Sequence, residues 1–164
     1  MHFLTPAALR GIDVRALEEL LERRDLVIAF GEGEIGGLAA AALLFADYAV
    51  VAAGARVSVD VPEAWAAAVW RLGKRTLKWS LEQDQHELVD ETTERDPQSW
   101  LEEWTRHRSV IALDAAAALI RGRGGDSLER AEFARLFAIG EPQHGLGAFL
   151  AKVRPSYSAV PENL

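Results

Sequence analysis

Leu26-Val-Ile-Ala-Phe-Gly-Glu-Gly-Glu-Ile-Gly-Gly-Leu-Ala-Ala-Ala-Ala-Leu-Leu-Phe-Ala-Asp47 decides the fold of this chain. Residues 26–30 form a short continuous apolar run ending at glycine, the mark of a strand buried on both faces. A glycine-rich turn follows. Residues 38–46 are apolar on every side, so the helix they form must be enclosed rather than amphipathic. Tyr48-Ala-Val-Val-Ala52 reads as a second strand, completing a β-turn-α-β unit that should cross over right-handed. The N–H groups of a glycine turn at a helix start are placed to stabilise negative charge. The charge could belong to a dinucleotide phosphate or to a thioester enolate, and the two imply different proteins.

Working outward, residues 14–24 carry the apolar spacing of an amphipathic helix, whereas residues 1–11 show no alternating strand pattern. Residues 56–61 alternate as a strand would (Val57, Val59, Val61). After Pro62 the pattern turns helical: residues 64–79 with a break at Gly73, then a polar loop over 82–97 around Leu88-Val89. One long helix is expected over residues 100–120, ended by the loop Arg121-Gly-Arg-Gly-Gly125. Asp126 with Glu129 resembles a capping box for a helix through Phe137, and Pro142 suits the first turn of a last helix that must stop before Pro155. The tail from Ser156 to Leu164 is expected to be poorly ordered unless docked on a neighbour. The whole reads as one α/β domain over residues 1–164, with a core over 14–120 and a C-terminal helical region over 126–157.

Composition narrows the function. With 164 residues, 49% hydrophobic and 26% charged, the chain suits a single soluble globular domain. A net charge of −7 argues against nucleic-acid binding. There is no cysteine, hence no disulfide framework, thiolate nucleophile or zinc-thiolate site, and the four histidines show no helical metal spacing. With no membrane-length apolar run and no signal pattern, a cytoplasmic setting without membrane partners is the expectation.

Gly31-x-Gly33-x-x-Gly36 matches the dinucleotide fingerprint in its strand-to-helix context. Against a Rossmann domain, the second strand ends in Ala52-Ala-Gly54, where a ribose-binding acid is needed. Glu32 and Glu34 would also repel a pyrophosphate, and no strand-helix alternation follows Pro62.

The wider pattern has a better match. The stretch from Asp25 to Asp47, then Tyr48-Ala-Val-Val-Ala-Ala-Gly-Ala-Arg-Val57 and His86-Glu-Leu-Val-Asp-Glu91, resembles the enoyl-CoA hydratase/isomerase (crotonase) superfamily. So do Glu129-Arg-Ala-Glu-Phe-Ala-Arg-Leu-Phe137 and Glu141-Pro-Gln-His-Gly-Leu-Gly-Ala-Phe-Leu-Ala-Lys-Val-Arg-Pro155. The resemblance spans roughly residues 15 to 157 and implies a shortened crotonase-like fold, a small sheet of βαβ units followed by C-terminal helices.

That resemblance implies an acyl-thioester site (acyl-CoA or acyl-carrier protein) with no tightly bound cofactor. The family stabilises a thioester enolate with two backbone N–H groups, each worth on the order of a hundredfold or more in rate. One maps to Gly37 or Leu38; leucine keeps the N–H but adds bulk where the family has glycine. The other follows an early strand. Little more than Met1 to Gly11 precedes the first amphipathic helix, so this donor is expected to be lost, replaced within His2-Phe-Leu-Thr-Pro6, or supplied by a partner chain. The two hydratase glutamates correspond to Ala41 and approximately Val61. Alanine transfers no proton, so isomerisation or decarboxylation is expected rather than hydration. Asp60 and Glu63 are the candidate proton carriers, Glu63 following proline as the family's carboxylate does. Phe149 and Lys152 keep the spacing of the family's adenine contacts on the final helix; without the resemblance they read as helix core and a solvated charge. A catalytically degenerate accessory subunit is the alternative. The family also implies a homo-oligomer, a trimer or hexamer, with a heteromer as the other arrangement. Glu32 with Glu34 and His86 read as solvated surface groups, and the tryptophan pairs as packing residues, Trp100 and Trp104 sharing one helix face.

Overall fold

The computed structural model describes residues 1–82, 84–121 and 125–157, which fall into two compact units. One comprises His2–Arg23 and Val27–Pro97. Its centre is a parallel four-stranded sheet in the order β1 (His2–Leu4), β2 (Val27–Gly31), β4 (Tyr48–Ala52), β6 (Glu91–Thr93). Register is set by Phe3 opposite Ile28, Ala29 opposite Ala49 and Val51 opposite Thr92. Strand β2 is buried at every position, as its unbroken apolar run requires. The strand order rises without reversal, so the sheet of described residues has no switch point, the place where a doubly wound fold binds its dinucleotide. This removes the Rossmann alternative.

Between β1 and β2 lie α1 (Pro6–Arg10), its start capped by Thr5, and α2 (Val14–Glu22), capped by Asp13. The glycine turn carries β3 (Glu34–Ile35), which pairs with β5 (Arg56–Val57) in a separate two-stranded sheet, and then α3 (Gly37–Phe45). Helix α4 (Pro62–Leu72) packs along α3 and stops at Gly73, whose φ of 53° only glycine adopts readily. Ala40, Ala41 and Ala42 of α3 and Ala64, Ala67 and Ala68 of α4 are all fully buried, and side chains this small let the two backbones approach closely. Helix α5 (Thr76–Glu82) follows, placing Trp79 in the same core and against Trp65, ring centroids 5.6 Å apart.

Three sequence expectations need correction in this unit. Residues 1–11 do contain a strand, β1, too short at three residues to show a period. The 56–61 strand shrinks to Arg56–Val57, because the ladder with β3 ends at the Ser58 N–H bond to the Ile35 carbonyl. The polar 82–97 loop contains β6, an edge strand that needs one ladder partner and no apolar pattern.

The other unit gathers the chain from Gln98 onward with Met1 and Arg24–Leu26. The long helix expected over 100–120 is two: α6 (Pro97–Arg106) and α7 (Val110–Arg121), separated where Ser109 accepts the Ala112 N–H. Trp100 and Trp104 are buried on one face of α6, 5.7 Å apart. Most of the expected loop after Arg121 lies outside the described residues. Helix α8 (Asp126–Ala138) starts after Gly125, so Asp126 is its first residue and not its cap. Helix α9 (Glu141–Leu150) has Pro142 in its first turn. The segment 154–157 is docked within its own chain: the His107 and His144 rings hydrogen-bond to the Pro155 and Ser156 carbonyls, and the Tyr157 N–H reaches the Arg106 carbonyl. No helix of the described residues is long and apolar enough to cross a membrane.

Candidate functional site

The glycine turn stands where β2 leaves the sheet. A side chain at Gly31 would run into Ile35 Cδ1, so glycine there serves the tight packing of the turn on itself. Gly37 adopts φ 58° and opens α3, with Gly36 as its cap residue and no side-chain cap on that helix from its own sequence. The cap comes from a distance instead. The Asp60 carboxylate accepts the Gly37 N–H at 2.8 Å, and its second oxygen lies 3.0 Å from where a Cβ on Gly36 would stand.

Gly37 and Leu38 are thus both at the α3 start, and the structure brings Asp60 to them. The Leu38 N–H has no acceptor among the described residues. Its side chain is partly buried and packs against the hydrophobic core. Glu63 lies in the exposed first turn of α4, and its carboxylate makes no hydrogen bond or ion pair with a described residue. Ala41 is fully buried in the core cluster, so its position is closed to solvent as well as chemically inert.

Helix α1 lies over the turn. Pro6, Leu9 and Arg10 line a cavity of about 20 Å³ together with Gly31, Glu32, Glu34, Ile35 and Ala39. That volume holds about one water and no acyl chain. Pro6 has no N–H to give, which narrows the backbone donors of the His2–Pro6 segment.

Phe149 and Lys152 are not on one helix. Phe149 is 77% exposed near the end of α9, whereas Lys152 lies beyond the Ala151 cap with φ 56°. The Lys152 N–H bonds to the Phe149 carbonyl and the Val153 N–H to the Ala148 carbonyl, the paired bonds of a Schellman end. Lys152 holds the left-handed position that glycine fills most readily.

Sequence reasoning missed Arg71, which fixes the far end of α3. Its guanidinium donates to the Leu44 and Ala46 carbonyls at 3.3 and 3.0 Å and pairs with Asp90, whose carboxylate also accepts the Ala49 N–H at 2.7 Å. A basic residue within an otherwise apolar helical face was the available signal. Asp47 ties the same end to the sheet, accepting the Val27 N–H at 2.7 Å.

No family model matches the chain, and no curated protein sequence does. Solved structures do. A putative enoyl-CoA hydratase/isomerase family protein from Hyphomonas neptunium is 22% identical, with a TM-score of 0.60 over 90% of this chain and 66% of that one. An enoyl-CoA hydratase/carnithine racemase from Magnetospirillum magneticum is 19% identical, with a TM-score of 0.59 over 98% and 79%. An enoyl-CoA hydratase/isomerase from Cupriavidus metallidurans CH34 is 22% identical, with a TM-score of 0.57 over 92% and 67%. The chain spans about two thirds of the length of the first and last of these. At these identities the likeness is one of fold. Over two thirds to four fifths of their length, this chain has the crotonase-like fold of the enoyl-CoA hydratase/isomerase structures.

Proposed function

We propose that the glycine turn is an acyl-thioester site, in which the Leu38 N–H holds the thioester oxygen as it becomes an enolate and Glu63 carries the proton. The observation that carries this reading is the open Leu38 N–H at the start of α3, in a fold whose solved examples bear enoyl-CoA hydratase/isomerase names. Enolate chemistry needs one proton carrier and an oxyanion donor, so isomerisation or decarboxylation suits these residues. Water addition with a second carboxylate does not, because Ala41 is buried alanine. The second donor would come from the chain after β1 or from a partner. The test is turnover of acyl-CoA substrates by the purified chain beside its Glu63→Ala variant. Loss of at least a hundredfold in the variant supports the reading, and turnover unaffected by the change removes Glu63 as the proton carrier.

A specific observation favours the accessory-subunit reading as the second. Helices α8 and α9 contain no buried residue, while Phe133, Leu146, Phe149 and Leu150 are each more than half exposed. Exposed apolar side chains on helices without a core of their own call for association, with a second copy or another subunit. Sedimentation across a concentration range tests this: an inactive, strictly monomeric chain would count against both readings, and an active homo-oligomer against the accessory role.

A further inference from the structure

From the Gly37–Asp60 contact we infer that Asp60 is a built-in occupant of the glycine turn and gates it against the thioester. The inference rests on the thioester reading above and concerns the regulation of that same site. A helix start with unpaired N–H groups favours one nearby negative charge. In this structure that charge is internal: Asp60 Oδ1 accepts the Gly37 N–H at 2.8 Å, one residue from the N–H assigned to the enolate oxygen. Both anions draw on the same helix end, and each disfavours the other at this separation.

Two features suit a device rather than a fixed brace. Asp60 is exposed and lies between Ser58, whose N–H makes the last ladder bond to the Ile35 carbonyl, and Val61, whose carbonyl accepts the Trp65 N–H at the start of α4, so turning its side chain away breaks neither bond. Gly36 has no side chain, and a Cβ there would meet Asp60 Oδ2 at 3.0 Å; the glycine makes room for the carboxylate to seat. With Asp60 seated, the Gly37 N–H is taken and the carboxylate charge opposes an enolate at Leu38. When the Asp60 side chain turns away, the Gly37 and Leu38 N–H groups are both left to the ligand.

The experiment is calorimetric titration of the full chain with acetoacetyl-CoA, whose acyl group forms an enolate readily, and with CoA alone. Wild type is compared with Asp60→Ala, which removes the occupant, and with the near-isosteric Asp60→Asn, which keeps an acceptor for Gly37 without the charge. The gate predicts that Asp60→Ala binds acetoacetyl-CoA at least tenfold more tightly than wild type, with Asp60→Asn between them and CoA alone unchanged. A brace would give lower stability and no gain in affinity. Equal, measurable affinity in all three proteins overturns the gate and leaves the thioester reading standing. No binding by any of them, all folded by circular dichroism, overturns the thioester reading and the gate with it.

Discussion

Replacing Arg71 with alanine should cost the sheet-containing unit about 3 kcal/mol, and the estimate follows from the three groups it serves. The guanidinium side chain is 11% exposed and satisfies two carbonyls at the end of α3 while pairing with Asp90. A hydrogen bond from a charged donor contributes roughly 1.5–3 kcal/mol when partly buried. The 3.3 Å bond to Leu44 belongs at or below the low end of that range and the 3.0 Å bond to Ala46 within it. The Asp90 pair adds little, because the carboxylate is 36% exposed and screened, and it keeps its bond from the Ala49 N–H. The orphaned carbonyls are the main penalty, since they end a helix enclosed by protein. Native-state amide exchange along the β2–β4 ladder reads the stability of this unit. Arg71→Lys should recover less than half the loss, because one ammonium cannot serve two carbonyls and a carboxylate in the guanidinium's planar geometry. A loss below about 1 kcal/mol for Arg71→Ala would refute the assignment of Arg71 as the clamp on α3.

Three further substitutions probe other parts of the structure. Restoring a glutamate by Ala41→Glu should not create hydratase activity: it buries an unpaired carboxyl among packed alanines, and urea titration should show a loss of at least about 3 kcal/mol. Gly31→Ala should destabilise by about 1–3 kcal/mol through the clash with Ile35, and Ile35→Val in the same chain, by shortening the side chain it meets, should return part of that loss. Lys152→Gly should stabilise the α9 end by about 0.5–1 kcal/mol by relieving the left-handed backbone, seen as slower exchange of the Val153 amide; faster exchange would contradict the Schellman assignment.

Local chemistry made the β2–turn–α3–β4 unit legible in the sequence. An unbroken apolar run, clustered glycines and an all-round apolar helix each have one comfortable structural solution, and together they agree. What stayed hidden was short, polar or distant. β1 has three residues and β6 reads Glu-Thr-Thr, so neither offers a period to detect. The break between α6 and α7 falls on His107-Arg-Ser109, with no glycine or proline to mark it. The contacts that define the candidate site join Gly37 to Asp60 and Arg71 to Ala46, pairs more than twenty residues apart whose meeting depends on the packing of α3 against α4. Lys152 shows the opposite error: helical spacing from Phe149 was real, but the helix ended first.

The central claim concerns one amide, that of Leu38. Titrating isotope-labelled protein with acetoacetyl-CoA and following backbone amide resonances tests it directly, in wild type and in Asp60→Ala. The account predicts a downfield shift of the Leu38 amide as its proton bonds to the enolate oxygen, saturating at lower ligand concentration in Asp60→Ala. Saturable binding that leaves the Leu38 amide in place while shifting resonances elsewhere would contradict it.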